Sequence, residues 1–242
     1  MLWRCNVIHH IAGGKRMSSQ ESVNQLLADL HAHRVATLKP EELAYNINQR
    51  QYLVDHANRS GFVKPGDVIE NFELPDVDGG TVVLDELLAK GPVVLLFFRF
   101  AGCPACNLAL PYYQRQLAPA VAGLGATLVA ISPQIPLKLR DIKERHGLSF
   151  LVASDTDNKL GTKFGIVFTA SAETQKHLLS KGTHLGETTG TGTWDLPMPA
   201  AIVIDRDRGV RFAAISPDWL VRTEADEIIG ALREITKVSE AA

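Results

Sequence analysis

VVLLFFRFAGCPAC, residues 93–106, is the stretch of sequence that decides the fold. Its first half is a continuous apolar run, which is typical of a strand covered on both faces. Cys103 and Cys106 follow directly, and Pro104 between them suits the first position of a helix. The stretch therefore predicts a buried strand that turns into a helix, with Cys103 at the helix N-terminus.

This placement of Cys103 predicts a reactive thiolate. The partial positive charge and the free N–H groups of a helix N-terminus stabilise an ionised sulfur. A thiol with a pKa near 8.5 is only about 3% ionised at pH 7, whereas a pKa of about 6.5 makes it roughly three quarters ionised. Cys106 follows one helical turn later and can close a disulfide with Cys103. Two alternatives stay open, a pair of buried structural thiols and half of a zinc site that lacks its other ligands.

Outward from this stretch, short strands alternate with helices, which predicts an α/β sheet with helices on both faces. The predicted strands lie at 72–75, 81–84, 93–100, 126–131, 149–152, 200–204 and 210–215. The predicted helices lie at 85–90, 104–122, 137–146, 158–164 and 224–235, the last capped by Thr223. The insert 168–198 is mixed, with a helical patch near 172–180. We expect its Gly/Thr-rich residues 186–192 to form a mobile loop, because they do not follow a strand and open a helix as a phosphate-binding loop does.

The N-terminal part of the chain has a different pattern. Residues 1–16 are too short and too interrupted by charge for a secretory signal, so we expect a disordered leader and a cytoplasmic protein. A capping box from Ser18 to Glu21 then opens a helical pattern. We predict a helical extension over 17–60, with helices near 20–36 and 40–58, followed by the main domain over 61–242.

Composition and charge exclude several classes of partner. The net charge is only −2, which gives no electrostatic reason to expect nucleic acid or an anionic membrane surface. The longest strongly apolar run, residues 93–98, is far shorter than the about 20 residues that span a bilayer. Three cysteines in 242 residues do not make a disulfide scaffold. We expect no metal and no cofactor.

Several segments in the right order resemble one known family. Residues 98–106 resemble the active-site segment of thioredoxin-fold proteins. The segments 66–80, 125–133 (GATLVAISP), 154–165 and 199–205 (PAAIVID) are similar to those of the peroxiredoxin-like alkyl hydroperoxide reductase C/thiol-specific antioxidant family. The resemblance covers about residues 63–234. It implies a thioredoxin-like fold, a central mixed sheet flanked by helices, here with an N-terminal helical extension.

The resemblance also implies an activity, that of a thiol-dependent peroxidase. The Cys103 thiolate would attack the peroxide as the peroxidatic cysteine, and Cys106 would resolve the resulting sulfenic acid. A thioredoxin-like or other thiol reductant would restore the dithiol, and the family allows a homodimer. Pro104, Pro199 and Arg99 would shape the site. If strand alternation continues to Arg99, this residue faces away from Phe98 and Phe100, so a surface arginine is an equal alternative.

Two departures from the family pattern favour rival functions. Phe100 occupies the position of a Thr or Ser in typical peroxiredoxins, and Pro199 that of a peroxide-activating arginine. Pro199 resembles instead the cis-proline that borders the disulfide in thioredoxin-like proteins. A thiol–disulfide oxidoreductase acting on protein disulfides is therefore the second hypothesis. A third hypothesis is a non-catalytic binding module whose working surface is formed by the 20–58 helices and the 168–198 insert. Trp194 has two interpretations, an aromatic residue that covers the site or a residue of the core.

Overall fold

The computed structural model describes residues 21–240. The predicted leader and the Ser18 end of the predicted capping box lie outside this range. No helix within it combines the length and the apolar composition that crossing a bilayer requires.

A five-stranded mixed sheet forms the centre of the fold. Its strands are β3 (Val93–Phe97), β4 (Thr127–Ser132), β5 (Leu151–Ser154), β8 (Ala200–Ile204) and β9 (Val210–Ile215), in the order β5-β4-β3-β8-β9. Strand β3 pairs in parallel with β4, which pairs in parallel with β5. On its other side β3 pairs antiparallel with β8, which pairs antiparallel with β9. The mixed α/β sheet predicted from the sequence is confirmed.

Strand β3 is buried on both faces, as its apolar run predicts. Val94 and Leu96 belong to one hydrophobic cluster, whereas Val93, Leu95 and Phe97 belong to the cluster on the opposite face. The strand ends at Phe97, three residues before the predicted end. From there the chain turns away, although the Phe98 N–H still donates to the Ile131 carbonyl.

Two short hairpins flank the sheet. The first pairs β1 (Glu73–Pro75) antiparallel with β2 (Thr81–Val83), with Leu74 opposite Val82, and both strands lie within segments predicted as strands. The second, β6 (Val167–Thr169) with β7 (Asp195–Pro197), was not predicted and ties together the two ends of the insert.

Ten helices surround the sheets within the described range. They are α1 (Val23–Thr37), α2 (Pro40–His56), α3 (Leu84–Leu88), α4 (Pro104–Gln116), α5 (Ala118–Gly123), α6 (Pro136–His146), α7 (Lys159–Lys163), α8 (Ala172–Ser180), α9 (Leu185–Thr189) and α10 (Ala225–Glu240). The helix predicted at 104–122 is divided at Leu117, because Pro119 in the first turn of α5 has no N–H to continue the ladder. The predicted Thr223 cap is wrong, since α10 begins only at Ala225.

Helix α1 packs on the main domain. Val23 and Leu27 are fully buried in the cluster that also contains Cys103 and Cys106. At the start of α1, the carboxylate of Glu224 accepts hydrogen bonds from the backbone N–H groups of Val23 and Asn24, at 3.1 Å each. A negative charge at this end of a helix satisfies free donors and opposes the helix dipole. The predicted helices near the N-terminus are thus present, and α1 is anchored near residue 224.

The expected mobile loop at residues 186–192 is wrong. Helix α9 starts at Leu185, and both Leu185 and Thr189 are buried. A Cβ atom on Gly186 would lie 2.4 Å from the backbone carbon of Gly192, so only glycine fits this close approach. The glycines that suggest a loop instead allow two backbone segments to pack together. The expected helical patch near 172–180 is confirmed as α8.

Candidate active site

The turn between β3 and α4 places Cys103 where the sequence predicts it. Cys103 is the N-cap of α4, in an extended conformation, and Pro104 occupies the first turn of the helix. Proline costs the helix nothing there, because the first N–H groups have no intrahelical acceptor. The Cys103 sulfur therefore stands at the positive end of a 13-residue helix.

Side chains from neighbouring elements hold this turn in place. Ser132 Oγ donates to the Arg99 carbonyl at 3.0 Å, and the Ala101 N–H donates to Gln134 Oε1 at 2.8 Å. Gln134 Nε2 in turn donates to the Thr188 carbonyl at 3.1 Å. The insert is thereby linked to the active-site turn through Gln134.

Asn107 fixes the start of α4 from the other side. Its Nδ2 atom donates to the carbonyls of Ala101 and Cys103, at 2.8 Å and 2.9 Å. Its Oδ1 atom accepts from Arg145 Nη1 at 3.0 Å and lies 2.8 Å from His146 Nε2. The backbone around Cys103 is consequently held by side-chain hydrogen bonds that the sequence did not suggest.

Both cysteines are free thiols buried in the core. Cys103 is 1% exposed and Cys106 is fully buried. Both sulfur atoms are therefore closed off from solvent in this structure.

The surroundings of the two thiols separate their acidities. A hydrogen bond from Cys106, assisted by the charges of Arg99 and Arg222, lowers the pKa of Cys103 to about 5 despite its burial. Burial, with the hydrogen bond to Cys103 and its negative charge, raises the pKa of Cys106 well above its usual value. With these shifts, Cys103 is the thiolate at neutral pH and Cys106 keeps its proton.

Arg99 faces the site region rather than the opposite side. Because β3 ends at Phe97, strand alternation does not extend to this residue. Its guanidinium carbon lies 5.7 Å from the ring centre of Phe100 and 5.3 Å from that of Trp219, within the range of cation–π contacts. Its charge also contributes to the low pKa of Cys103.

Arg222 is a cation of the site that sequence reasoning missed. It is 7% exposed, and its Nη2 atom lies 4.0 Å from Cys106 Sγ. Its Nη1 atom donates to the carbonyls of Trp219 and Val221 at 2.6 Å and 2.8 Å. No motif in the sequence marks Arg222, because only the fold brings it to a cysteine 116 positions away.

Pro199 lies beside Cys106, but not as a cis-proline. Cys106, Pro199 and Arg222 line a small cavity of about 20 Å³, room for about one water molecule. None of the described peptide bonds is cis, so that part of the prediction is wrong. A backbone hydrogen bond holds Pro199 in place, since its carbonyl accepts from the Ser216 N–H at 2.8 Å.

Trp194 contacts the ring of His184, with ring centres 4.6 Å apart, and it belongs neither to the described core cluster of the cysteines nor to the cavity beside Cys106. Trp219, not Trp194, is the tryptophan that borders the site, because the Arg99 guanidinium lies over its ring. Within residues 21–240, no three His, Cys, Asp or Glu side chains gather into a group that could hold a metal ion.

Comparison with known proteins identifies one family. The AhpC/TSA family model matches residues 65–213. A putative peroxiredoxin of Mycobacterium tuberculosis is 31% identical over 173 residues, which is 72% of this chain and 98% of the relative.

Solved structures give the same result. The crystal structure of the peroxidoxin BcpB from Mycobacterium tuberculosis superposes with a TM-score of 0.55 at 28% identity, covering 72% of this chain and 98% of that one. A mutant of peroxiredoxin 6 of Arenicola marina superposes with a TM-score of 0.58 at 17% identity, covering 73% and 75%, and supports the fold alone. The matched family residues include β3, the turn and α4, but neither α1 nor Arg222.

Proposed function

Because the chain belongs to the AhpC/TSA family, a family of thiol-dependent peroxidases, we propose that Cys103 is its peroxidatic cysteine and Cys106 its resolving cysteine. The observation that carries this assignment is the opposite shift of the two pKa values, lowered for Cys103 and raised for Cys106. A peroxidase needs its nucleophile ionised before the substrate arrives, and only Cys103 meets that condition at neutral pH.

The first chemical step is attack of the Cys103 thiolate on one peroxide oxygen. A sulfur–oxygen bond forms, the oxygen–oxygen bond breaks, and the leaving oxygen takes up a proton to give an alcohol or water. Cys103 is oxidised to sulfenic acid while the peroxide is reduced. Pro104 starts the helix whose N-terminus stabilises the thiolate, and the charges of Arg99 and Arg222 add to this effect.

The second step is condensation of the two cysteines. Cys106 attacks the sulfenic sulfur of Cys103, a disulfide forms, and water leaves with the Cys106 proton. Cys106 follows Cys103 by one helical turn, so the attack needs little movement of α4. Arg222, whose charge acts against the raised pKa of Cys106, assists its deprotonation. Pro199 shapes the wall beside this sulfur.

A two-electron thiol donor then reduces the disulfide, and we propose a thioredoxin-like protein for this role. We also propose a cytoplasmic location and a homodimer. The family resemblance supports the donor and the dimer. Sedimentation, cell fractionation and turnover with a purified thioredoxin system would check these three proposals.

Peroxide turnover of single-cysteine variants tests the assignment. Cys103→Ser should abolish turnover. Cys106→Ser should complete one turnover and stop as a sulfenic acid, which dimedone traps and mass spectrometry detects. Cys5→Ser is the matched control and should keep the wild-type rate. If Cys103→Ser turned over peroxide as fast as the wild type, the assignment of Cys103 as the nucleophile would be wrong.

Phe100 and Pro199 are the specific observations that favour a second candidate, a thiol–disulfide oxidoreductase. Both positions lack the groups that activate peroxide in the family pattern. Insulin reduction, measured alongside peroxide consumption, separates the two functions. Fast insulin reduction without peroxide turnover would replace the peroxidase proposal by this one.

A further inference from the structure

Two arginines without an acidic partner meet at Trp219. The guanidinium carbons of Arg34 and Arg99 lie 5.1 Å and 5.3 Å from the centre of its ring. Arg50 also approaches the ring, at 5.9 Å, but its charge is balanced by two hydrogen bonds to Asp218. Neither Arg34 nor Arg99 has a carboxylate within ion-pair distance in the part of the chain that the structure describes.

Each of these two arginines also presents a buried donor without an acceptor. Arg34 Nη1 and Arg99 Nε are buried atoms with no hydrogen-bond partner among residues 21–240. Buried donors in folded proteins are nearly always paired, so an unpaired one needs an explanation. Both donors belong to cations that contact the same tryptophan. A ligand with oxygen acceptors would therefore supply the missing partners of both.

The fold fixes Arg34 relative to Cys103. Arg34 lies in the last turn of α1, and α1 packs on α4, the helix that begins at Cys103. The charges of the two residues interact: burial lowers the pKa of Arg34, and the Cys103 thiolate acts in the opposite direction. A single thiolate thus faces Arg34, Arg99 and Arg222, which leaves an excess of positive charge.

We propose that Arg34 is a substrate-binding residue of the peroxidase site, which places helix α1 inside the active site. Arg34 and Arg99 donate their free N–H groups to the peroxide oxygens above Cys103. They supply the positive charge that the family pattern places at the position of Pro199. This proposal rests on the proposed peroxidase function and adds a residue from outside the matched family segment.

The chemical role of these donors follows from the charge that develops in the reaction. As the thiolate attacks, the oxygen–oxygen bond breaks and negative charge moves onto the leaving oxygen. The N–H groups of Arg34 and Arg99 stabilise that oxygen until it takes a proton from water. Alkylation of Cys103 by iodoacetamide expels iodide instead and needs no donor to an oxygen.

Stopped-flow measurement of two reactions of reduced Cys103 tests the proposal. Arg34→Gln should lower the rate constant with hydrogen peroxide about 100-fold, the loss typical of one such donor. Its rate constant with iodoacetamide at pH 8, where Cys103 is ionised in every variant, should stay within about threefold. Arg34→Lys, which keeps the charge but not the N–H geometry, should fall between the wild type and Arg34→Gln with peroxide.

Arg59→Gln is the matched control, since it removes an exposed arginine that follows α2 and changes the net charge equally. It should behave as the wild type with both reagents. An unchanged peroxide rate constant in Arg34→Gln overturns the proposal, as does an equal loss with both reagents. Should Arg34→Gln not fold, a wild-type peroxide rate constant in folded Arg34→Lys overturns it. Failure of the wild type itself to react with peroxide would overturn the proposed function as well.

Discussion

Replacing Glu224 by glutamine should weaken the attachment of helix α1. The Oε1 atom of Glu224 accepts from Ser22 Oγ and Asn24, and its Oε2 atom accepts from the Val23 N–H and the Tyr112 hydroxyl. Glutamine keeps one acceptor oxygen but turns an NH₂ group toward the Val23 N–H. The substitution therefore removes a helix cap and a negative charge at a helix N-terminus.

The size of the effect follows from these two losses. A lost N-cap interaction costs about 1 kcal/mol and the charge at the helix end up to about 1 kcal/mol, which gives about 2 kcal/mol for this partly exposed group. In a protein of this size, that free energy lowers the melting temperature by about 6 °C.

The effect should also depend on pH. Burial acts to raise the pKa of Glu224, but hydrogen bonds from Ser22, Asn24, Tyr112 and Val23 outweigh it and lower the pKa. A carboxylate with a lowered folded-state pKa stabilises the protein above its unfolded-state pKa of about 4.3 and loses that contribution as the pH falls through the folded-state value. The difference between wild type and Glu224→Gln is thus full at pH 7 and closes below about pH 4.

Urea unfolding at pH 7, 5, 4 and 3 measures this difference. Glu144→Gln, at an exposed position of α6, is the control and should change stability by less than about 0.5 kcal/mol. A difference of the same size at pH 3 and at pH 7, or no difference at pH 7, would refute the reasoning about the Glu224 carboxylate.

Three further predictions concern the thiols and the packing of glycines. The rate of Cys103 alkylation should rise with a midpoint near pH 5 and move to higher pH in Cys106→Ala, which removes the hydrogen-bond donor, because the hydrogen bond from Cys106 is the largest cause of the low pKa; an unchanged midpoint would contradict this cause. Arg222→Met should slow disulfide formation and prolong the sulfenic acid, since Arg222 acts against the raised pKa of Cys106; time-resolved dimedone trapping detects the delay, and trapping as brief as in the wild type would contradict it. Gly186→Ala should destabilise the fold by about 1–3 kcal/mol, because its Cβ would meet backbone at 2.4 Å. Gly230→Ala, in open space within α10, should stabilise it by about 0.5–1 kcal/mol; thermal melts that reverse this order would refute both.

The sequence predicts those features that depend on short-range chemistry. The apolar run of β3 requires burial on both faces, and the order strand, Cys103, Pro104 requires a helix start at the thiol. The ends of strands are less accurate, as β3 shows, because pairing with neighbours decides where a strand stops. Helix α9 was missed because glycines that permit close backbone contact have the same composition as a loop.

The cations of the site could not be predicted, for a different reason. No local motif marks Arg34 or Arg222 as a residue of the site, and both come near the cysteines through tertiary packing. Only Arg99, adjacent in sequence, was a candidate from the start. Pro199 was predicted to border the disulfide as a cis-proline. It does line the cavity beside Cys106, but its peptide bond is trans.

The contact between α1 and Glu224 has a consequence for the synthesis of the protein. The hydrogen bonds that anchor the helix join residues 198 to 202 positions apart, so this anchor cannot form until the chain near Glu224 has left the ribosome. At about 5–20 residues per second, that interval is about 10–40 s. During this time the cysteine pair can already exist in a nascent domain that still lacks Trp219 and the hydrogen bonds that fix helix α1. Long-range closure of this kind slows folding, and it makes completion of the active site one of the last events in the formation of the molecule.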